Sequence, residues 1–213
     1  TQKKINADLK EVKGLNEDND IPRIVEYVRS KLKKGDSYEC DFYSWSQPIF
    51  SEDELYSDCS GYSKLFALVA NHVGYKTRVV WLFGHVSAEY YSKDLNRWVA
   101  VDPQNGFMIL NSKNEYANYL DVVENANGSM SEIFKIESIA KRTSNDPFIA
   151  NDDWYNFEFK KMLIVDDIIL NDYCKLKYNL FSLITSYFGD NSIGNGYIFG
   201  SNYESIGNSK FFK

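Results

Sequence analysis

"DCSGYSKLFALVANHVGYKTRVV", residues 58–80, decides how the chain is read. An acidic residue and a cysteine precede a helical pattern, and a β-rich run follows. Leu65, Phe66, Leu68, Val69 and Val73 recur at helical spacing and predict one buried stripe. Gly74 predicts the stop. Lys76–Phe83 then reads as a strand. Two more strands follow, His85–Tyr91 and Arg97–Asp102. Val86, Ala88 and Tyr90 alternate with His85, Ser87 and Glu89, the period of a half-buried strand.

A hairpin turning about Lys93–Asp94 sets His85 directly opposite Asp102. Opposed side chains in an antiparallel pair have Cβ atoms about 5 Å apart. The expectation is a carboxylate that accepts the imidazole Nδ1–H, fixes the tautomer and stabilises imidazolium. Cys59 adds the third group. A first-turn cysteine meets unpaired N–H groups and the positive end of the helix dipole, and both favour a thiolate. A nucleophile from a helix start, with a base and its orienting carboxylate from a following sheet, is the Cys–His–Asp form of triad logic. The backbone N–H of Cys59 supplies one candidate oxyanion donor. Gln47, Trp45 and Tyr56, all upstream, are candidates for a second.

Each residue also has a plain reading. A lone cysteine at a helix start is more often structural, a strand histidine is often a satisfied polar group, and Asp before Pro is usually a turn residue. His72 lies thirteen residues after Cys59 on the same predicted helix, about 20 Å away, and is a poor base for it. Cys174 falls in an apolar run and carries no assigned chemistry. Order and context favour the chemical reading of Cys59, His85 and Asp102.

Those residues carry a resemblance. The stretch 57–106, with "HVSAEYY" and "RWVAVDPQNG", resembles the transglutaminase-like superfamily, whose core is similar to the papain-like cysteine protease fold. Glu89, Trp98 and Pro103 fit the same pattern around the three polar residues. Two departures stand out. Ser87 occupies a position where the family commonly has Trp, and only Trp81 to Gly84 connect the preceding strand to His85. The resemblance implies an α+β fold with Cys59 at a helix N-terminus packed on an antiparallel sheet that carries His85 and Asp102. It implies acyl transfer through a thioester, which covers peptide hydrolysis, glutamine deamidation, transglutamination and glycan-amide hydrolysis. Hydrolysis by a peptidase or amidase is favoured, because water needs no second organised site. The alternative is a catalytically inactive binding or scaffold domain that keeps the fold. The substrate expected is a protein, peptide or other amide-bearing molecule.

The rest of the chain bounds the picture. Its 213 residues suit a single domain, with a core over about 20–106 and an extension over 107–213. A hydrophobic content of 44% and an aromatic content of 16% support a sizeable core. The net charge of −6 argues against a nucleic-acid partner. No run reaches membrane-span length. No metal, nucleotide or flavin motif is present, so cofactor-free chemistry is expected. Three cysteines do not make a disulfide scaffold. Cys40 and Cys174 either pair or stay reduced. The start at Thr1 rather than Met leans towards removal of an upstream segment and an extracytoplasmic setting.

Further expectations follow along the chain. The stretch to Asn19 reads as polar and loosely attached. "DIPRIVEYVRSKLKKG" reads as a helix capped by Asp20, with Pro22 in its first turn and Gly35 as its stop. Residues 36–58 read as an acidic, aromatic surface loop with a short helical turn. "KNEYANYLDVVENA" and the apolar run from Lys161 both read as helix-containing. The tail from Gly189 reads as loop or short hairpins. Asn127 begins a glycosylation sequon.

Overall fold

The computed structural model describes residues 2–10, 12, 14, 16–35, 46–82, 85–124, 133–141 and 162–165. Helix α1 spans Gln2–Asp8, α2 Glu17–Lys31, α3 Gln47–Phe50, α4 Cys59–His72 and α5 Tyr119–Glu124. Strands β1 and β2, Leu32–Lys34 and Leu55–Ser57, form a small parallel pair. The main sheet holds β3 (Thr77–Leu82), β4 (Val86–Ser92), β5 (Arg97–Asp102), β6 (Phe107–Asn111), β7 (Phe134–Ser138) and β8 (Met162–Val165). Its order is β7-β6-β5-β4-β3-β8, and every neighbouring pair is antiparallel. Mixed helices on an antiparallel sheet agree with the α+β expectation.

Helix α4 matches the sequence reading closely. Asp58 caps it, accepting from the backbone N–H of Ser60 and Gly61. Leu65, Phe66 and Val69 are fully buried. Gly74 adopts φ +104, a left-handed conformation that suits glycine. The Tyr75 N–H then bonds the Ala70 carbonyl at 2.9 Å and the Gly74 N–H bonds that of Asn71 at 3.1 Å, closing the helix end. The three strands at 76–102 also stand within a residue of where alternation placed them.

Helix α2 starts earlier than its sequence suggested. Asn16, not Asp20, is the cap, accepting from the Asn19 N–H. Glu17, Asp18 and Asp20 fill the first turn, where negative charge meets the positive dipole end. Asp20 is 4% exposed and accepts from the Gly14 N–H at 3.0 Å and the Tyr75 hydroxyl at 2.8 Å. It ties the entry of α2 to the exit of α4. Pro22 therefore lies inside the helix, forgoing one bond to the carbonyl four residues back. Gly35 is not the stop either. The helix ends at Lys31, because Leu32 buries its side chain and pairs with Leu55.

The N-terminal segment is not loosely attached. Ile5 and Val12 belong to the same core cluster as Ile21, Ile24, Val28, Leu65 and Phe66. Burying a side chain of this size contributes about 1.5–3 kcal/mol, which explains why a polar-looking stretch docks. In the apolar run from Lys161, residues 162–165 form strand β8, on the far edge beside β3, and the remainder of that run lies outside the described residues. In the stretch from Lys113, the helix found among the described residues is α5. Cys40, Trp45, Asn127, Cys174 and the tail from Gly189 lie outside the described residues.

The sheet has two buried faces. Ala88, Tyr90, Val99, Val101 and Met108 join the core under α2 and α4. Arg78, Ser87, Glu89, Trp98, Ala100 and Asp102 are also buried, and the alternation of the strands puts Ser87, Glu89, Trp98, Ala100 and Asp102 on the opposite face. The β4–β5 register differs from the sequence expectation by two. Ala88 pairs with Val101 and Ser92 with Arg97. The loop is four residues, Lys93–Asn96, and Asn96 takes φ 52 in the left-handed region that asparagine tolerates. Continued along the strands, this register sets Asp102 across from Ser87, with His85 one step along the diagonal.

Candidate active site

A register shift of two residues preserves the face on which a side chain stands, whereas a shift of one would reverse it. His85 and Asp102 therefore remain on one face as diagonal neighbours, about 7–8 Å apart at the backbone but within side-chain reach. The imidazole spans that distance. His85 Nε2 lies 2.7 Å from Asp102 Oδ2. The nitrogen facing the carboxylate is thus Nε2, where the sequence suggested Nδ1. The diagonal placement explains the change, since the ring has to extend along the strand to reach Asp102.

The Cys59 side chain stands close enough to the His85 ring to help raise the pKa of the imidazole. Cys59 opens α4, is partly exposed and is a free thiol. The Val86 N–H donates to Cys59 Sγ at 3.3 Å. The start of β4 thus supplies a backbone donor to the sulfur, next to His85. The Leu82 N–H bonds the His85 carbonyl at 2.7 Å, next to the Trp81↔Val86 pair that ends the β3–β4 ladder.

Charge at the site follows from these contacts. Burial pushes His85 towards neutrality, but the charges of Asp102 and Cys59 outweigh it and hold the imidazole well above its ordinary 6.5. Burial pushes Asp102 up, and His85 together with two donors of Asn105 outweighs that, keeping the carboxyl below its ordinary 3.8. Asp102 is completely buried and His85 is about 10% exposed. A buried carboxylate facing an imidazolium, which in turn faces a thiol at a helix start, can transfer protons to and from a group bonded to that sulfur.

Two contributors were not singled out from sequence. Asn105 donates through its backbone N–H to Asp102 Oδ1 at 2.8 Å and through Nδ2 to Oδ2 at 2.9 Å. An asparagine three residues after an aspartate, in a Pro-containing turn, is the signal that could have marked it. Ser63 Oγ lies 2.8 Å from the Cys59 carbonyl and 3.0 Å from that of Val86, bridging the first turn of α4 to the start of β4. Its i+4 spacing from Cys59 was the available clue. Ser87 is also explained. Its hydroxyl donates to the Val101 carbonyl at 2.9 Å, and the fully buried Tyr119 hydroxyl bonds Ser87 Oγ from α5.

The upstream oxyanion candidates part ways. Tyr56 is 53% exposed and its hydroxyl bonds Glu54, within the Lys33–Glu54 surface pair. Gln47 opens α3. His72 ends α4, with its Nε2 buried and unbonded among the described residues. No cluster with metal-binding composition occurs among the described residues, and none of their helices is long and apolar enough to cross a membrane.

Residues 8–103 match the family model of the transglutaminase-like superfamily. The matched segment is a little under half of the chain. It contains Cys59, His85 and Asp102, and it ends just before Asn105. No curated protein and no solved structure matches the chain significantly. Strands β6, β7 and β8 lie beyond the matched segment yet extend the sheet on both edges.

Proposed function

We propose that the chain is a cysteine-dependent acyl-transfer enzyme that cleaves amide bonds through a thioester, with water as the usual acceptor. The Cys59 thiolate attacks the amide carbonyl, forming the C–S bond. His85, protonated at Nδ1, gives that proton to the leaving nitrogen as the C–N bond breaks. A water molecule then adds to the thioester, His85 takes its proton, and the acid is released as Cys59 regains its thiolate. Asp102 stays ionised throughout, orienting His85 through Nε2 and stabilising its charge. The Cys59 N–H stands outside the Asp58 cap, which takes those of Ser60 and Gly61. It is the proposed first oxyanion donor, and Gln47 and Trp45 are candidates for the second.

The observation that supports this reading is the 2.7 Å contact between His85 Nε2 and the buried Asp102 Oδ2, with Cys59 within electrostatic reach of the same ring. The match to the transglutaminase-like superfamily supports the reaction class, and hydrolysis is favoured because no second site for an amine acceptor is required. The test is a screen of glutamine-containing peptides and other amides for released ammonia or new amino termini, combined with capture of Cys59 by an acyl electrophile. Cys59→Ala should fall to background. Asp102→Asn should keep a measurable residual rate, and the double variant should be no slower than Cys59→Ala, since such residues act as a unit. A Cys59 that resists acylation, or a Cys59→Ala variant as active as the parent, removes the proposal.

A further inference from the structure

Asn105 makes more hydrogen bonds to Asp102 than His85 does. Its backbone N–H reaches Oδ1 and its Nδ2 reaches Oδ2, the same oxygen that meets His85 Nε2. Both oxygens of a fully buried carboxylate are therefore held from one side, and rotation about its Cβ–Cγ bond is stopped. The amide can sit only one way round, because turning it over would press its Oδ1 against a carboxylate oxygen. In the orientation held, Oδ1 is buried without a hydrogen-bond partner among the described residues. An orphaned buried acceptor is unfavourable, and the Nδ2 contact to Asp102 offsets that cost.

The turn that carries Asn105 is itself fastened. The Gly106 N–H bonds the Asp102 carbonyl at 2.8 Å. Arg29 of α2 donates to the Gln104 carbonyl, and the Ile139 N–H bonds the Gly106 carbonyl at 2.9 Å. Gly106 takes φ +71, and a Cβ there would meet Ala140 at 2.9 Å, so the turn closes tightly against its neighbours.

We infer that Asn105 is a positioning residue, whose two donors clamp the Asp102 carboxylate so that Oδ2 stays on His85 Nε2. The inference rests on the reading of Cys59, His85 and Asp102 as the reacting set. After burial, which raises the carboxyl, and His85, which lowers it, the two Asn105 bonds are the remaining influences that keep Asp102 ionised.

The test uses Asn105→Leu, which removes the side-chain donor, and Asn105→Asp, which keeps the shape and replaces the donor with an acceptor. Both retain the backbone donor, and circular dichroism checks that they fold. In substrate-free protein, carbon NMR follows the Asp102 carboxyl and proton NMR follows exchange of the His85 Nε2–H. Asn105→Leu should raise the pH at which Asp102 takes up a proton by about one unit and speed exchange of that proton. Asn105→Asp should do so more strongly, because two adjacent carboxyls resist ionising together. If either folded variant leaves both signals where they are in the parent, Asn105 is a space-filling turn residue and the inference fails. Neither readout needs turnover, so a protein inactive on every amide would sink the enzyme proposal and leave this result decisive.

Discussion

His85 is pulled in opposite directions by burial and by its two charged neighbours, and the neighbours win. The outcome has a direction that can be measured. A histidine whose folded pKa is raised stabilises the fold fully below its ordinary 6.5 and loses that contribution as pH rises through the folded value. An aspartate whose folded pKa is lowered stabilises it above its ordinary 3.8 and loses that as pH falls through the folded value. Both contributions are complete only between those two ordinary values. The stability gap between the parent and Asp102→Asn should therefore be widest near about pH 5. It should narrow as pH climbs through the titration of His85. Urea unfolding across the pH range measures it, and a gap indifferent to pH would exclude a charged pair. The contact between His85 and Asp102 was legible in the sequence because histidines are few and strand alternation puts the two residues on one face. Which ring nitrogen faces which partner was not, because that depends on a diagonal reach set by the loop at 93–96.

At the scale of elements, α4 and the β3–β5 strands were readable because local signals agree. The helix has a cap, a stripe and a glycine stop, and the strands alternate. Helix α2 was misread where two caps compete. Asn16 and Asp20 both suit the role, and the choice fell to Asn16 because Asp20 is drawn into contact with Tyr75, a residue 55 positions away. No local pattern encodes that. The cap of α4 has a consequence for chemistry. The free N–H groups expected to favour a thiolate are partly taken by the Asp58 carboxylate, which also adds negative charge next to Cys59. The Val86 N–H is a backbone donor that faces the sulfur, at 3.3 Å. Asp58→Asn should preserve the helix, since asparagine caps as well as aspartate. It should speed alkylation of Cys59 by iodoacetamide at pH 6 by roughly two- to fivefold. Mass spectrometry read per cysteine separates Cys59 from Cys40 and Cys174. An unchanged or slower rate would mean that the Asp58 charge does not oppose the thiolate.

Over the whole molecule, the sheet gathers strands from well beyond the segment that carries the candidate site, and its second face is held by charge rather than by aliphatic packing alone. That was hidden in the sequence. β8 lies some 80 residues after the strand it joins, and nothing in the strand alternation marks Arg78 and Glu89 as a buried pair. In the fold they face each other across β3 and β4 in the register Arg78↔Glu89, with side chains 4% and 0% exposed. Trp98 covers the guanidinium, whose Cζ lies 4.0 Å from the ring centroid. The other oxygen of Glu89 accepts the Tyr119 N–H at 2.7 Å, so one carboxylate joins β3, β4 and α5. Tyr119 in turn reaches Ser87, on the same face as Asp102. A buried pair contributes little relative to a well-packed apolar substitute, but losing one member strands the other and costs about 3–5 kcal/mol. Arg78→Met and Glu89→Gln should each destabilise on that order. Glu89→Gln keeps an acceptor for Tyr119, so its cost reports the stranded arginine rather than a lost backbone bond. Arg78→Met combined with Glu89→Gln should cost clearly less than the sum, because the second change removes the charge that the first left unpaired. Urea melts of the four proteins close the cycle. Additive costs would show that Arg78 and Glu89 act independently, and the second face would then owe its stability to Trp98 and Tyr119 packing alone.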